Sequence, residues 1–107
     1  MNNIRRGTTP QHVFTLPRDL ADVQLAALYI TYKQGGRIVM EKTLEDDGVS
    51  RSGAEITVKL SQEETLVFSA DGGIVSVQLR LRTAAGDALV SGVITMSVGD
   101  VFKDGVI

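Results

Sequence analysis

Nothing constrains this chain more than the stretch from Ile74 to Arg82, where Val75, Val77, Leu79 and Leu81 alternate with Ser76, Gln78, Arg80 and Arg82. Successive side chains of a strand point to opposite faces, so this segment has one apolar face and one wet, cationic face. Ala54–Leu60 repeats the pattern, with Ile56, Val58 and Leu60 inward and Glu55, Thr57 and Lys59 outward. Leu25–Lys33 sets Ala26, Leu28, Ile30 and Tyr32 against Leu25, Ala27, Tyr29 and Thr31, and Gln11–Leu16 sets His12, Phe14 and Leu16 against Val13 and Thr15. Arg37–Thr43 and Ala88–Val98 read as two further strands, and the polar, glycine-broken Leu44–Gly53 as a loop or irregular edge.

Breaks between these segments carry turn chemistry. Gly35-Gly36 tolerates the positive φ angles of a tight hairpin, Pro17 stops the first strand ahead of a turn at Arg18–Asp22, and Asp71-Gly72-Gly73 and Ala85-Gly86-Asp87 interrupt the later part of the chain. Ser61 followed by Glu64 has the spacing of a capping box, which predicts one short helical turn over 62–66, closed by Val67-Phe68 against the sandwich end. About seven strands at roughly 8–12-residue spacing, with connections too short for crossover helices, predict an all-β antiparallel sandwich. Its expected core is Leu28, Ile30, Ile56, Val58, Leu60, Val77, Leu79, Leu81, Ile94 and Met96.

The 107 residues suit a single domain, 1–107, with an extended arm at 1–10 and a tail at 99–107. Hydrophobic residues make up 43% of the chain, which argues against intrinsic disorder. Eleven basic against 13 acidic residues leave a net charge of −2, without the electrostatic footprint of a nucleic-acid binder. There is no cysteine, so disulfides, thiolate nucleophiles and cysteine-based metal sites are excluded. Met1–Arg6 has no apolar segment behind it, unlike a secretory signal, and no apolar run approaches the ~18 residues of a spanning helix. The expectation is a protein made in the cytoplasm that inserts in no membrane.

Reactive constellations are missing from the pattern. His12 is the single histidine, and without cysteine or a marked nucleophile it completes neither a zinc set nor a triad, so its role is read as structural or at the surface. Glu45-Asp46-Asp47-Gly48 lacks the alternating spacing and terminal Glu of a calcium loop, and the glycine pairs lack the Gly-Lys-Ser/Thr ending of a phosphate loop. With no Trp, two Tyr and three Phe, platforms for sugar stacking are scarce. No catalytic, cofactor-binding or metal-ligating residue is assigned, and the chain is expected not to be an enzyme.

Two features remain as candidate contact surfaces. Arg80 and Arg82 on the wet face either form cross-strand ion pairs or meet a partner. Ile4, Arg5 and Arg6 in the arm and Val101, Phe102, Val106 and Ile107 in the tail either zip onto the protein's own sheet edges or add to a neighbour.

In order and spacing the chain resembles a known family. Ile4-Arg5-Arg6-Gly7-Thr8-Thr9 followed by Phe14-Thr15-Leu16 looks like the opening "RxGdt…F.f.L" of immunoglobulin-like domains in phage tail and baseplate-upper proteins. Asp19-Leu20 sits where that family has its "dL" step, and Arg37–Thr43 where it has its "v.e.t" strand. Ile56–Leu66 is similar to its "v.L..eEt..l" element, Val77–Leu81 to its "vqlrv" strand, and Val93–Val98 to its closing strand. The resemblance implies an immunoglobulin-like sandwich and a free-standing, non-enzymatic virion structural protein of a phage or prophage, tail- or baseplate-associated. It would be made in the bacterial cytoplasm and act by self-association or by contact with other phage structural proteins, without cofactor or nucleic acid. The alternative function is a module that binds a carbohydrate or host-surface ligand through loops at one end of the sandwich.

Overall fold

The computed structural model describes residues 3–71 and 73–107 and turns every alternating segment into a strand. Met1 and Asn2 of the expected arm and Gly72 of the expected Asp71-Gly72-Gly73 break lie outside the described residues. In chain order the elements are β1 (Asn3–Arg5), β2 (Gln11–Thr15), β3 (Leu25–Gln34), β4 (Arg37–Thr43), β5 (Val49–Ser52), β6 (Glu55–Lys59), α1 (Gln62–Leu66), β7 (Ile74–Thr83), β8 (Ala88–Val90) and β9 (Ile94–Gly99). A 3-10 turn at Arg18–Leu20 joins β2 to β3 and buries Leu20.

Two sheets enclose the core. The larger runs β1-β9-β7-β3-β4, with β8 also on β7, and the smaller runs β2-β6-β5. Their inner faces contribute Ile30, Tyr32, Val75 and Val77 from one side and Phe14, Ile56 and Val58 from the other, all buried. Burying such an aliphatic side chain contributes about 1.5–3 kcal/mol each, which makes this layer the main source of stability. Of the expected core residues only Ile94 is half-buried, packed against the cluster from the rim.

This is an immunoglobulin-like sandwich. The sheet β9-β7-β3-β4 holds the G-F-C-C′ positions and β2-β6-β5 the B-E-D positions of that architecture. Among the described residues no strand lies outside β2, where the immunoglobulin arrangement has strand A. The chain's first strand instead joins the opposite sheet.

Among the described residues nine strands form where about seven were expected, for three local reasons. The arm supplies β1, which pairs with β9 through Asn3↔Ser97, Ile4↔Val98 and Arg5↔Gly99. That pairing is parallel, a departure from the antiparallel pairing expected to dominate and found between the other paired strands. Within 44–53, read as a loop or irregular edge, β5 forms the edge of the smaller sheet and pairs with β6 from Val49↔Val58 to Ser52↔Glu55. Gly48 enters this strand at φ +84°, with its carbonyl accepting the Lys59 N–H at 2.8 Å. A Cβ there would lie 2.5 Å from the Lys59 carbonyl oxygen, so the glycine that reads as a breaker is what permits the close approach.

The third correction concerns Ala88–Val98, which is not one strand. Arg80 faces Val90 and Val77 faces Ile94, so three steps along β7 span four along its partner. The extra residue is a bulge at Ser91–Val93. The Ser91 N–H donates to the Leu79 carbonyl at 2.8 Å, while the Leu79 N–H donates to the Ser91 hydroxyl at 3.0 Å. A side-chain oxygen thus takes the place of a ladder carbonyl.

The two local motifs form as read. Gly35 and Gly36 close the β3–β4 hairpin at φ +62° and +78°. At α1 the Glu64 N–H donates to the Ser61 hydroxyl at 3.2 Å, and the Ser61 N–H donates to Glu64 Oε1 at 2.9 Å. Phe68 packs into the core beyond it, whereas Val67 stays exposed.

Candidate interaction surfaces

Three regions hold the residues that the sequence singles out, and they differ in what they offer. The first is the end of the sandwich where arm, helix and tail meet. Ile4, expected at a contact surface, is fully buried, because β1 turns its side chain inward beside Val98. Arg6 is a clamp. Its Nε donates to the Phe68 carbonyl at 2.9 Å, its Nη1 to Asp100 Oδ1 at 2.9 Å, and Nη2 lies 3.6 Å from Asp104 Oδ1. Arg5 Nη1 donates to the Asp100 carbonyl at 2.8 Å. The Val101 N–H and then Arg6 hold the exposed Asp100 carboxyl below its ordinary value.

Thr65, wholly buried, fastens the same junction by accepting the Gly7 N–H at 2.9 Å and donating to the Thr8 carbonyl at 3.0 Å. Farther along the tail, the Gln62 amide donates to the Ile107 carbonyl at 3.1 Å and accepts the Ile107 N–H at 2.8 Å. Between these two tethers Phe102 is fully exposed; Val106 and Ile107 are exposed as well, and Val101 is half-buried. The tail is therefore held in place while its apolar side chains remain uncovered.

The second region is the wet face of β7. Arg80 lies between Tyr29 of β3 and Val90 of β8, and Arg82 between Ala27 and Ala88. None of these neighbours is acidic. Among the described residues the salt bridges are those of Arg6 and Lys42, so the cross-strand ion pairs expected of Arg80 and Arg82 do not form.

The third region has no signal in the sequence. Along the open side of the sandwich, β2 and β8 leave a groove of about 280 Å³ between the sheets. Phe14, Leu16, Leu79, Leu81, Leu89 and Ile94 line it. This is the seam left by the missing strand outside β2, and it joins residues up to eighty positions apart in the chain.

The interior holds a small set of polar groups. His12 Nδ1 and the Tyr32 hydroxyl share a hydrogen bond of 3.1 Å, and His12 Nε2 is buried with no partner. Burial lowers the His12 pKa from its ordinary 6.5, so the ring is neutral at neutral pH. Burial, and after it the charge of Glu64, raises the Tyr32 hydroxyl far above its usual range. Burial pushes the Glu64 carboxyl up, but its contacts with Lys42 and Ser61 outweigh that and hold it below its ordinary value. Lys42, buried on β4, forms a salt bridge with Glu64, a pair separated by too much chain for any sequence pattern to announce. Among the described residues no group of three or more His, Cys, Asp or Glu converges as a metal site requires, and no helix is long and apolar enough to cross a membrane.

No family profile matches the chain, and no curated protein matches it. Solved structures do share its fold. CopC from Methylosinus trichosporium OB3b superposes with a TM-score of 0.54 at 14% identity, covering 97% of this chain and 89% of that one. An engineered protein superposes with a TM-score of 0.52 at 18% identity over 94% of this chain and 18% of its own. The immunoglobulin-like domain of mouse leukocyte-associated immunoglobulin-like receptor 1 gives 0.47 at 13% identity, over 89% and 83%. At such identities the likeness to CopC and to the engineered protein is one of fold alone.

Proposed function

We propose that the protein is a non-enzymatic structural component that works through protein–protein contacts, tail- or baseplate-associated in a phage or prophage particle. The setting rests on the resemblance of the chain's motif order to immunoglobulin-like domains of phage tail and baseplate-upper proteins. The mode of action rests on one observation. Phe102 stands fully exposed on a tail anchored on one side by Arg6 and on the other by Gln62. An aromatic side chain held out by an ordered backbone loses little conformational entropy on docking, as suits an interface anchor.

Purified particles from a culture that produces both the particle and the tagged protein provide the test. The protein should co-sediment with the particles, and Phe102→Ser should drop out of them while its thermal unfolding stays that of the parent. Absence of the parent protein from the particles would defeat the setting, and undiminished incorporation of Phe102→Ser would defeat the anchor.

A further inference from the structure

The strands that leave an edge open are β1, β4 and β8 in the larger sheet and β2 and β5 in the smaller. Exposed edges invite pairing with other chains, and proteins guard them with charge, bulges or brevity. β4 carries Arg37, Glu41 and Lys42 and a register shift opposite Tyr32/Lys33. β1 is three residues long and bears Arg5. β5 is four residues long and bears Arg51, whose Nη2 reaches across to the Leu20 carbonyl at 2.6 Å. β2 and β8 alone carry no charged residue, and they face each other across the apolar groove.

The geometry of β2 makes its edge ready to pair. Leu60 N–H donates to the Pro10 carbonyl at 3.0 Å, and Leu16 N–H to the Ala54 carbonyl at 2.7 Å. In an antiparallel ladder alternate residues turn their backbone groups toward one neighbour, so the even-numbered residues serve β6. The backbone N–H and C=O groups of Gln11, Val13 and Thr15 therefore point to the open side. Their side chains lie on the outer face, Val13 being half exposed.

We propose that this edge pairs antiparallel with the same edge of a second copy of the chain, across a two-fold axis at Val13. Gln11 then faces Thr15 of the second copy, Val13 faces Val13, and the two small sheets become one. The neighbouring strand favours this direction. On β6, Lys59 lies beside Gln11 and Glu55 beside Thr15. Antiparallel pairing sets Lys59 of each copy in the same row as Glu55 of the other, whereas parallel pairing would align like charges. Three strand spacings of ~4.8 Å separate these charges, so they select direction rather than supply tightness.

Five paired residues bury less than the about 1,200 Å² of a stable interface, so the contact extends over the groove to the exposed Leu89 and Val90 of β8. A second copy fits better than its tail as occupant. The tail is tied to Arg6 and Gln62 and carries Lys103 and Asp104, whereas the β2 edge is uncharged and self-complementary. The dimer does not depend on the particle reading.

Light scattering of the full chain over a dilution series tests it. A dimer that dissociates between about 1 and 100 μM is expected, and Val13→Lys, which puts like charges on the axis, should weaken it at least about tenfold while circular dichroism shows an unchanged fold. Val13→Cys places the chain's single thiol where facing Cα atoms are ~5.5 Å apart, within disulfide reach, so mild oxidation should give a covalent dimer on a non-reducing gel. Phe102→Ser, the variant that probes particle incorporation, should leave the dimer intact. A monomer at about 100 μM, an oligomer indifferent to Val13→Lys, or one abolished by removing residues 100–107 would each overturn the proposal.

Discussion

The arm and the tail look alike as sequence: a few apolar residues set among charges, at opposite ends of the chain. In the fold they part company. Ile4 is fully buried beside Val98, while Phe102 is fully exposed, although phenylalanine has more apolar surface to hide. Ile4 has a place in a ladder, and β9 presents both the hydrogen-bonding edge and the inward-facing slot. Phe102 lies past the end of β9, where no strand offers either. At these two positions burial goes with the presence of a backbone partner and not with the apolar area of the side chain.

The sharpest way to break this contrast is at Ile4. Ile4→Ala should destabilise the protein by about 2–5 kcal/mol in denaturant melts, the range of a full core truncation such as Leu79→Ala. A loss below about 0.5 kcal/mol would mean that the arm is not docked. Thr65→Val comes next. It leaves the Gly7 N–H and the Thr8 carbonyl without their buried partner and should cost about 1–3 kcal/mol, measured in the same way.

Acid separates core from tail by a different route. His12 has its pKa lowered by burial, so the unfolded chain takes up a proton more readily than the folded one. Its contribution is complete above its ordinary value of 6.5 and is lost as pH falls from there toward the depressed folded value. Asp100 is also lowered, from its ordinary 3.8, so its contribution begins to be lost only as pH falls toward that value. Melting temperature against pH should therefore begin to fall near neutrality, and His12→Gln should flatten that first decline. If the decline is the same in His12→Gln, another group is responsible.

Smaller effects are expected at the tether. Arg6→Gln removes both tail ion pairs and should speed hydrogen exchange and proteolysis in residues 100–107 while exchange in β7 stays unchanged. Faster exchange in β7 as well would make the clamp part of the core. Smallest of all, Phe102→Ala should leave global stability within about 0.5 kcal/mol of the parent in denaturant melts. A larger loss would mean that Phe102 packs in solution and that the contrast between the two ends is weaker than drawn.

What could be read ahead of the fold follows a simple physical divide. Alternation along Ile74–Thr83, the capping box at Ser61 and Glu64, and the Gly35-Gly36 turn depend on interactions between residues a few positions apart, and all three formed where the chain announces them. β5 was legible only as a loop or irregular edge, because Val49–Ser52 becomes a strand only through the edge of β6. The bulge at Ser91 was equally silent, since its hydroxyl acts on the backbone of a strand twelve residues away. Among the candidate contact residues, Arg80 and Arg82 lie on the exposed face predicted for them, but their lack of acidic neighbours depends on which strands flank β7.

The sequence by itself determined the class: period-two segments and the turn chemistry between them commit the chain to a packed all-β domain. Only the tertiary structure decided which surfaces that domain presents. It buried Ile4, turned Arg6 into a clamp, left Phe102 uncovered and opened the seam between β2 and β8. Each of those outcomes depends on a hydrogen-bonding edge supplied or withheld by a distant part of the chain, and local side-chain pattern carries no record of it.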